Sequence, residues 1–356
     1  MADLLAFSRL NSLAVDGSLA DQFTLAGQFI GEGAALLAAF LWAAATLMFG
    51  RLGKQLSPLV LNIVKGVFAI AMMVITLVTQ YLIQHFIQHP PSITSETATT
   101  LPTFSITLLI VSGALGIGLG DTAYFSAINA LGARKALLLE TLAPPMATIL
   151  AWIFLSERLS LAAISGIALT LTGVAWVISE RVPGTAIKQT NAGLKIALLA
   201  TFCQAAGAVL SRAALAQTTV SPLWSSLIRL SAGLVFMALL TVLRPQYLQP
   251  TAKPAVDHAT TIQAIVTQWK QAIVPLKSFR LLLAVAIASF FATYLGIWLQ
   301  QIALKNTAAG IAQALLATSP LFVIPMVAIL GDRISWRSVG GVVIALSGVW
   351  LLLGNA

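Results

Sequence analysis

Two carboxylic acids interrupt long apolar stretches of this sequence, and either could take up or release a proton there. Asp121 lies in GLGDTAYF and Glu140 in KALLLETLAPP. A charged Asp at the centre of a bilayer costs about 2.5–3.5 kcal/mol on insertion scales, so such residues usually face a bundle interior or water and often mark proton or substrate pathways. Structural roles are the alternative: a hydrogen bond to a neighbouring helix or a position near the interface for Asp121, and a fixed ion pair for Glu140. The candidate partners of that ion pair are Arg134, Lys135 and Lys65.

Other residues around the two acids strengthen the functional interpretation. Tyr124 follows Asp121 by three positions and therefore shares its helical face. Pro144 and Pro145 follow Glu140 closely; they remove two backbone donors and leave the carbonyls near it without partners. A helix weakened in this way is where transporters place ligand groups and hinges. We therefore predict a binding or coupling role for Asp121, Tyr124 and Glu140, and a hinge at the two prolines.

A cation recurs at the same place in two related segments. SPLVLNIVKG (57–66) and SPLWSSLIRL (221–230) each open with Ser-Pro and carry one cation seven residues after the proline, Lys65 in the first and Arg229 in the second. Asn62 lies one turn before Lys65, and a pair of serines lies one turn before Arg229, so each cation has a polar helical face. This favours cations that point inward, to an acid or an anionic substrate. The alternative is that both side chains extend to the nearer headgroups.

A third candidate group lies late in the chain. Tyr294, Trp298 and Gln301 are spaced at i, i+4 and i+7, so two aromatic rings and an amide share one helical face. Such a face suits a small amphipathic ligand, although ordinary packing or an interfacial aromatic belt would produce the same pattern. Weaker candidates of the same kind are Trp42, Gln204 and Gln313.

Helices that cross a membrane must position these residues. Of the 356 residues, 58% are hydrophobic and only 9% are charged, whereas a soluble domain carries about a quarter charged residues. The mean hydropathy is +0.93. A bilayer core of about 30 Å takes roughly 20 helical residues to cross. Apolar blocks of that length predict an all-α membrane protein with ten spans, at 31–50, 58–84, 104–130, 135–155, 160–179, 193–213, 222–243, 280–304, 308–330 and 335–354.

The net charge of +9 does not indicate a nucleic-acid partner in this setting. The cations mostly flank apolar segments, where anionic headgroups and the positive-inside bias account for them, so membrane lipids are the expected surroundings. By the same counting, four cations lie on the side of the two termini and fourteen on the other. That bias places both termini outside the cytoplasm.

The spans divide into two copies of one unit. ALLAAFLWAA (35–44) aligns with ALLATFCQAA (197–206), and Pro145 aligns with Pro320, which extends the predicted hinges to the second copy. Because each unit has five spans, the second must enter the membrane upside down relative to the first. Inverted repeats of this kind are typical of secondary transporters, whose substrate lies near the midplane between the halves. The predicted boundaries are a loose or interfacial leader at 1–30, a first unit at 31–180, a linker at 181–192, and a second unit at 193–354 with a long polar connection at 244–279.

Glycines are matched between the last spans of the two units. Gly166 and Gly173 align with Gly341 and Gly348. Small residues at matching positions allow close helix packing in membranes. The fifth and tenth spans could therefore pair within one chain or between the protomers of a homodimer.

The repeated Ser-Pro-to-cation segment and the stretch LAPPMATILAWIFLSERLS (142–160) resemble the EamA branch of the drug/metabolite transporter superfamily. The resemblance covers nearly the whole chain from about residue 31. Within the superfamily, GIGLGDTAYFSAINALGARKALLLETLAPP (116–145) is similar to a bacterial subgroup. The resemblance implies a metabolite transporter of the bacterial plasma membrane. In several relatives the termini are cytoplasmic, opposite to the orientation that the charge count favours.

The second unit departs from the first at both acids. Position 296 is Gly where Asp121 would map, and position 315 is Leu where Glu140 would map. The acid pair therefore belongs to one half, and any mechanism that uses it must be asymmetric.

No nucleotide-binding or metal-binding motif is present. The sequence contains neither GxxxxGKS/T nor HExxH, its three histidines lie in polar connections, and its single cysteine, Cys203, cannot form an intrachain disulfide. We predict no cofactor and no metal. We predict a secondary transporter, not an enzyme, that moves a small polar or amphipathic metabolite by alternating access with proton coupling. The alternatives are a membrane-embedded lipid-modifying enzyme and a non-transporting assembly subunit.

Overall fold

The computed structural model describes residues 17–52, 58–87, 102–131, 133–179, 191–216, 218–243, 269–270, 274–329 and 336–353. Within these ranges the regular elements are helices, and they contain no strand. Residues 17–30 of the predicted leader belong to the first helix. The rest of the leader, most of the predicted linker and most of the long polar connection lie outside the described residues.

The first half of the chain supplies helices α1 to α7. They are α1 (Gly17–Leu52), α2 (Pro58–Ile87), α3 (Thr103–Ser112), α4 (Asp121–Leu131), α5 (Ala133–Glu140), α6 (Ala143–Leu155) and α7 (Leu161–Ser179), with a π-helical segment, Gly113–Gly120, between α3 and α4.

The second half supplies helices α8 to α14. They are α8 (Asn191–Leu215), α9 (Pro222–Leu243), α10 (Phe279–Ala288), α11 (Gly296–Asn306), α12 (Ala309–Leu316), α13 (Ser319–Ile329) and α14 (Trp336–Leu353). A short 3₁₀ helix, Val274–Lys277, precedes α10, and a second π-helical segment, Ser289–Leu295, joins α10 to α11.

Nine segments of the described chain are long and apolar enough to cross a membrane, and they correspond to the second to tenth predicted spans. The first predicted span lies in α1, whose described apolar part, Phe29–Ala45, is shorter. Large apolar side chains such as Ile75, Trp152 and Trp350 are exposed, as helices that face lipid require. The chain is therefore an all-helical, multi-pass membrane protein, and the number of ten spans stays a prediction.

The two halves depart from regular α-helix at matching places. The third span of each half contains a π-helical segment, and in the fourth span a two-residue turn separates two short helices, at 141–142 and at 317–318. Prolines follow each turn, within the first three residues of the next helix. Backbone N–H groups there have no intrahelical partner, so a proline loses no hydrogen bond. Glu140 consequently ends α5, whereas the sequence predicted one continuous span across it.

The matched glycines bring α7 and α14 together within one chain. A Cβ atom at Gly173 would lie 2.5 Å from the carbonyl oxygen of Gly341, and one at Gly348 would lie 2.7 Å from that of Gly166. Backbones at this separation leave no room for a side chain. Of the two predicted arrangements, the structure shows the pairing within the chain.

The largest core lies in the end of the bundle nearest the chain termini. It draws residues from α1, α3, α6, α7, α8, α11, α12 and α14 and consists mainly of alanine with some larger side chains. Examples are Ala38, Ala147, Ala151, Ala205, Ala312 and Leu315. Because alanine lets helix axes approach closely, these helices pack tightly on this side of the molecule.

Candidate functional site

A cavity of about 220 Å³ lies between the two halves of the chain. It is bounded by α1, α2, α4, α8, α9 and α11 and by both π-helical segments. Its polar lining consists of Asn62, Lys65, Asp121, Gln204, Arg229 and Gln300. Its apolar lining includes Trp42, Ile117, Leu234, Met237 and Ile297. The volume lies below the roughly 300–1,000 Å³ of pockets for drug-sized ligands, so it suits a small metabolite.

Both repeated cations point into this cavity. Lys65 and Arg229 each lie seven residues into their helices, about 10 Å from the helix start at 1.5 Å per residue. The two cations therefore occupy matching positions in the two repeats. Arg229 is only 3% exposed. The structure therefore shows inward-facing cations and not side chains that extend to headgroups.

Glycines allow α9 to bring Arg229 this close. A Cβ atom at Gly113 would overlap the backbone carbonyl of Arg229, and one at Gly116 would lie 3.4 Å from its Nη2 atom. The π-helical segment that contains both glycines thus packs directly on the backbone of α9. A larger residue at Gly113 would push the guanidinium out of position.

Arg229 and Asn62 retain unused hydrogen-bonding capacity. Nε and Nη1 of Arg229 and both amide atoms of Asn62 are buried and have no hydrogen-bond partner in the described part of the chain. Asn62 is also 3% exposed. Buried polar groups are nearly always paired in folded proteins, so these atoms are candidates for contact with a ligand.

Asp121 is held by the opposite half of the molecule. Gln204 Nε2 donates a hydrogen bond of 3.0 Å to Asp121 Oδ1. Asp121 also interacts electrostatically with Lys65 and Arg229. This carboxylate begins α4, directly after the π-helical segment, and lies about 15 Å from the end of that helix. The acid is therefore inside the third span, in its second half, and on the cavity wall.

Glu140 lies behind this wall. Its carboxylate is hydrogen-bonded to the side chain of Tyr124 and interacts electrostatically with Asp121. Of its predicted ion-pair partners, Lys135 is exposed at the start of α5, and the side chain of Arg134 lies outside the described residues. The third, Lys65, lies on the cavity and interacts with Asp121. The structure thus connects Glu140 to the cavity through Tyr124 and Asp121.

The pseudo-symmetric position in the second half is occupied differently. Trp42 aligns with Gln204, and Gly296 aligns with Asp121. Trp42 Nε1 donates a 2.8 Å hydrogen bond to the carbonyl of Ala292, in the second π-helical segment. A Cβ atom at Gly296 would overlap the Trp42 indole nitrogen. Each of these two contacts joins the two halves, and the charged acid–amide pair of Asp121 and Gln204 is matched by an uncharged glycine–indole contact of Gly296 and Trp42.

The predicted stripe of Tyr294, Trp298 and Gln301 lies mainly in helix packing. The Tyr294 hydroxyl is hydrogen-bonded to Thr76 Oγ1 at 2.7 Å, and its ring packs on Trp298. Gln301 is fully buried, and its Oε1 accepts hydrogen bonds from Ser211 and Ser225. None of the three is among the described residues that line the cavity. Their predicted binding role stays a prediction without support from this geometry.

Sequence reasoning missed a set of polar contacts that joins helix ends on the side of the termini, here called the terminus-side layer. One ion pair and its hydrogen bonds join the connection between α6 and α7 to α8, α11 and α12. Two further hydrogen bonds join α11 to the residues before α9, and α1 to the end of α11. The members of the layer are Glu32, Glu157, Arg212, Val220, Lys305 and Thr307. The stretch LAPPMATILAWIFLSERLS (142–160) contains Glu157, but nothing in its pattern predicts that this acid contacts another helix.

The ion pair between Arg212 and Glu157 is the centre of this layer. Arg212 Nε lies 2.7 Å from Glu157 Oε1, and both side chains are 17% exposed. Arg212 Nη1 also donates to the carbonyl oxygens of Leu304 and Lys305 at the end of α11. Glu157 Oε2 accepts a hydrogen bond from the backbone N–H of Ala309, the first residue of α12. A single ion pair thus ties three helix ends together.

The described residues contain no group of three or more His, Cys, Asp or Glu side chains that could hold a metal ion. The site is organised by hydrogen bonds and by paired charges.

Comparison with known proteins identifies the family. The EamA-like transporter family matches residues 29–179 and again 191–354, so the chain belongs to this family. The protein is therefore a multi-pass membrane protein of the drug/metabolite transporter type, as the sequence resemblance predicted. Members of the family are transporters and not enzymes, and the predicted alternative of a lipid-modifying enzyme is not favoured.

Solved structures share the fold. One crystal structure superposes with a TM-score of 0.65 at 17% sequence identity, over 92% of this chain and 95% of the other. Matches of this kind number 28 chains. The search of curated proteins found no match.

Proposed function

We propose that this protein is a secondary active transporter that moves a small polar or amphipathic metabolite by alternating access. The observation that carries the proposal is a metabolite-sized cavity between the two repeats, lined by charged residues from both. Transporters with inverted repeats bind their substrate at this place.

The terminus-side layer supports alternating access. The alanine-rich core and the Arg212–Glu157 ion pair hold the helices together at that end of the bundle. In the proposed cycle these contacts close the path between the cavity and the terminus side. Substrate exchange with the terminus side would require these contacts to open while contacts on the other side form.

Proton coupling is proposed at Glu140, with Asp121 assisting. Asp121 faces the cavity and the cations, whereas Glu140 is reached through Tyr124. A substrate that changes the charge around Asp121 would therefore change the affinity of the connected acid for its proton. The turn at 141–142 lets α5 and the attached Glu140 move relative to α6, which is the proposed hinge role of Pro144 and Pro145, with Pro320 in the matching position.

The test is a measurement of proton exchange by the purified protein in weakly buffered detergent solution. Amino acids, sugars, nucleosides, organic acids and cationic drugs are added in turn, and the wild type is compared with Glu140→Gln. We expect one chemical class to cause proton uptake or release by the wild type and none by the variant. Lys135→Gln, which changes an exposed cation in the same helix, is the control and should behave as the wild type.

Transport itself is then measured in proteoliposomes with the compound found. An imposed pH gradient should drive its accumulation through the wild type, whereas Glu140→Gln should lose the dependence on the gradient. Gradient-dependent accumulation by a folded Glu140→Gln protein would contradict the assignment of the coupling acid.

The cellular location and the assembly are also proposals. The family and the apolar helices support a multi-pass membrane protein, and we propose the bacterial plasma membrane as its location. The homodimer stays a prediction, although the glycine surfaces that suggested it pack against each other within the chain.

A further inference from the structure

Deepening the proposed function, on which this inference rests, we infer that Arg229 and Asn62 form a carboxylate-binding subsite and that the transported metabolite is an organic acid with an apolar body. The two side chains come from different halves and line the same cavity. Both are buried within the membrane-spanning region and both carry unpaired hydrogen-bonding atoms.

The first argument is hydrogen bonding. Arg229 Nε and Nη1 carry N–H donors that no acceptor satisfies in the described part of the chain, and the Asn62 amide adds a neutral donor. A guanidinium presents donors in a fixed planar arrangement that matches the two oxygens of a carboxylate. Leaving such donors unpaired in a buried site is unfavourable, so a ligand that supplies two acceptor oxygens would gain much of its affinity here.

The second argument is charge. Among the described residues that line the cavity there are two cations, Lys65 and Arg229, and one acid, Asp121. Asp121 already interacts with both cations and accepts a hydrogen bond from Gln204. Counted with all three groups ionised, the wall carries one positive charge in excess, which a monoanion would neutralise. A phosphate monoester, with a charge of about −1.5 to −2 at neutral pH, would exceed it.

The third argument is the apolar side of the cavity. Trp42, Leu234, Met237 and Ile297 provide this surface, and Gly296 allows the indole of Trp42 to occupy the place that an acid takes in the other half. A sugar or another fully hydroxylated molecule would leave hydroxyl groups facing this wall without partners. An aliphatic or aromatic body would instead bury its apolar surface against it.

Two kinds of metabolite carry this chemistry: simple organic acids and zwitterionic amino acids with apolar side chains. They share the carboxylate, and the amino group distinguishes them. The same assay therefore includes both, while an isolated amine is expected to be excluded by the two cations.

The experiment measures the thermal unfolding of the purified full-length protein in detergent, with matched ligands at millimolar concentration and fixed neutral pH. The aliphatic set is isocaproate, leucine, isocaproamide and isohexylamine, and the aromatic set is hydrocinnamate, hydrocinnamide and phenylpropylamine. We expect acids in at least one set to raise the unfolding temperature in a concentration-dependent way, and the amides and amines not to do so.

Variants then assign the effect to the subsite. Arg229→Gln should weaken acid binding by about 10- to 100-fold and remove the difference between acid and amide, as loss of a hydrogen bond to a charged group predicts. Arg229→Lys keeps the charge without the planar donors and should bind acids with intermediate affinity. This variant replaces Arg229→Gln in the test if Arg229→Gln does not fold. Arg337→Gln removes an exposed arginine of α14 and should bind as the wild type does.

The outcomes separate this inference from the proposed function. Stabilisation by an amine or amide equal to that by the acids, or stabilisation by none of the acids, would overturn the carboxylate subsite. Acid binding that persists unchanged in Arg229→Gln would overturn it as well. Acid binding without transport in proteoliposomes would support the subsite and contradict the proposed transport. Transport of a cation would support the proposed transport and contradict the carboxylate subsite.

Discussion

Gly296 stands where the second half of the molecule would place a counterpart of Asp121. A Cβ atom there would lie 2.9 Å from Trp42 Cδ1 and would overlap the indole nitrogen, which donates a hydrogen bond to the Ala292 carbonyl oxygen. The absence of a side chain at Gly296 is therefore what allows the indole to reach the cavity. At the scale of single residues, the asymmetry of the site depends on this position as much as on the acid.

Gly296→Ala tests this requirement. We expect the substitution to displace Trp42 and lower the free energy of unfolding by about 1–3 kcal/mol, the usual range for overpacking a filled site. The measurement is thermal unfolding in detergent, followed by fluorescence-detected size-exclusion chromatography. Gly33→Ala is the control, because a Cβ atom there meets nothing within 4 Å, and it should not destabilise the protein. Equal stability of the two variants would show that the indole contact does not constrain Gly296.

Sequence reasoning located several site residues but not the directions of all side chains. The matched Ser-Pro segments placed Lys65 and Arg229 at equal depth because helical rise is constant, and the structure brings both to one cavity. The same periodicity could not reveal that Gln301 faces two serines of α8 and α9, since the contact joins residues 76 and 90 positions apart. A helical face is a local property, whereas the partner of that face is set by the packing of distant segments.

At the scale of elements, the third span of each half changes from α-helix to π-helix. The change comes just before Asp121 in the first half and just before Gly296 in the second. A π-helical turn shifts the register of the residues that follow it and alters the backbone hydrogen bonding. The Trp42 indole donates a hydrogen bond to a backbone carbonyl oxygen of one such segment. Hydrophobic periodicity predicted both spans but not these segments, because an apolar pattern does not distinguish the two helix types over a few residues.

The breaks in the fourth spans were likewise predicted only in part. The sequence indicated a weakened helix at Pro144 and Pro145, and the structure has a turn at 141–142 followed by a new helix. Rules for prolines allow either a kink in a continuous helix or a restart. The choice depends on how the two short helices pack, which the sequence does not show.

The close contact of α7 and α14 gives a prediction at this scale. Gly173→Ala would bring a methyl group to 2.5 Å from the Gly341 carbonyl oxygen, and backbone atoms cannot move aside as a flexible side chain can. We expect a loss of stability of about 1–3 kcal/mol. The measurement is the same thermal unfolding experiment.

Gly340→Ala provides the matched control for this contact. Gly340 lies in α14 itself, and a Cβ atom there meets nothing within 4 Å. Because alanine is favoured over glycine in helices by about 1 kcal/mol, this variant should be as stable as the wild type or more so. Equal destabilisation by the two substitutions would show that helix propensity, and not the contact between α7 and α14, determines the result.

At the scale of the whole molecule, one group of polar contacts among the described residues joins helix ends on the terminus side. The group consists of the Arg212–Glu157 ion pair, the Lys305–Val220 hydrogen bond and the Glu32–Thr307 hydrogen bond. In the proposed cycle these contacts stabilise one of the two end states. Weakening them should therefore shift the equilibrium toward the other.

Glu157→Gln is expected to produce this shift. Loss of a hydrogen bond to a charged group of about 1.5–3 kcal/mol would change the ratio of the end states by about tenfold or more. The measurement uses Gln300→Cys in a Cys203→Ser background, reacted with a membrane-impermeant thiol reagent from each side of right-side-out and inverted vesicles. Labelling from the terminus side should increase.

Arg158→Gln is the control for this experiment. Arg158 is the exposed neighbour of Glu157, so its substitution removes a charge from the same turn. Labelling in this variant should be that of the parent. An increase in both variants would assign the effect to the net charge of the turn and not to the ion pair with Arg212.

The glycine–indole contact opposite the acid–amide pair has a kinetic consequence. When a carrier with inverted repeats turns from one side of the membrane to the other, each half adopts the shape that the other half had before. With identical halves, the two forms of the empty carrier would have equal free energy. The Trp42–Gly296 contact differs chemically from the Gln204–Asp121 hydrogen bond, so the two forms differ in free energy. In the proposed cycle, the two empty forms should therefore be populated unequally. Half-saturating substrate concentrations measured from the two sides should then differ, whereas the substrate concentration ratio at equilibrium would depend only on the coupled proton gradient.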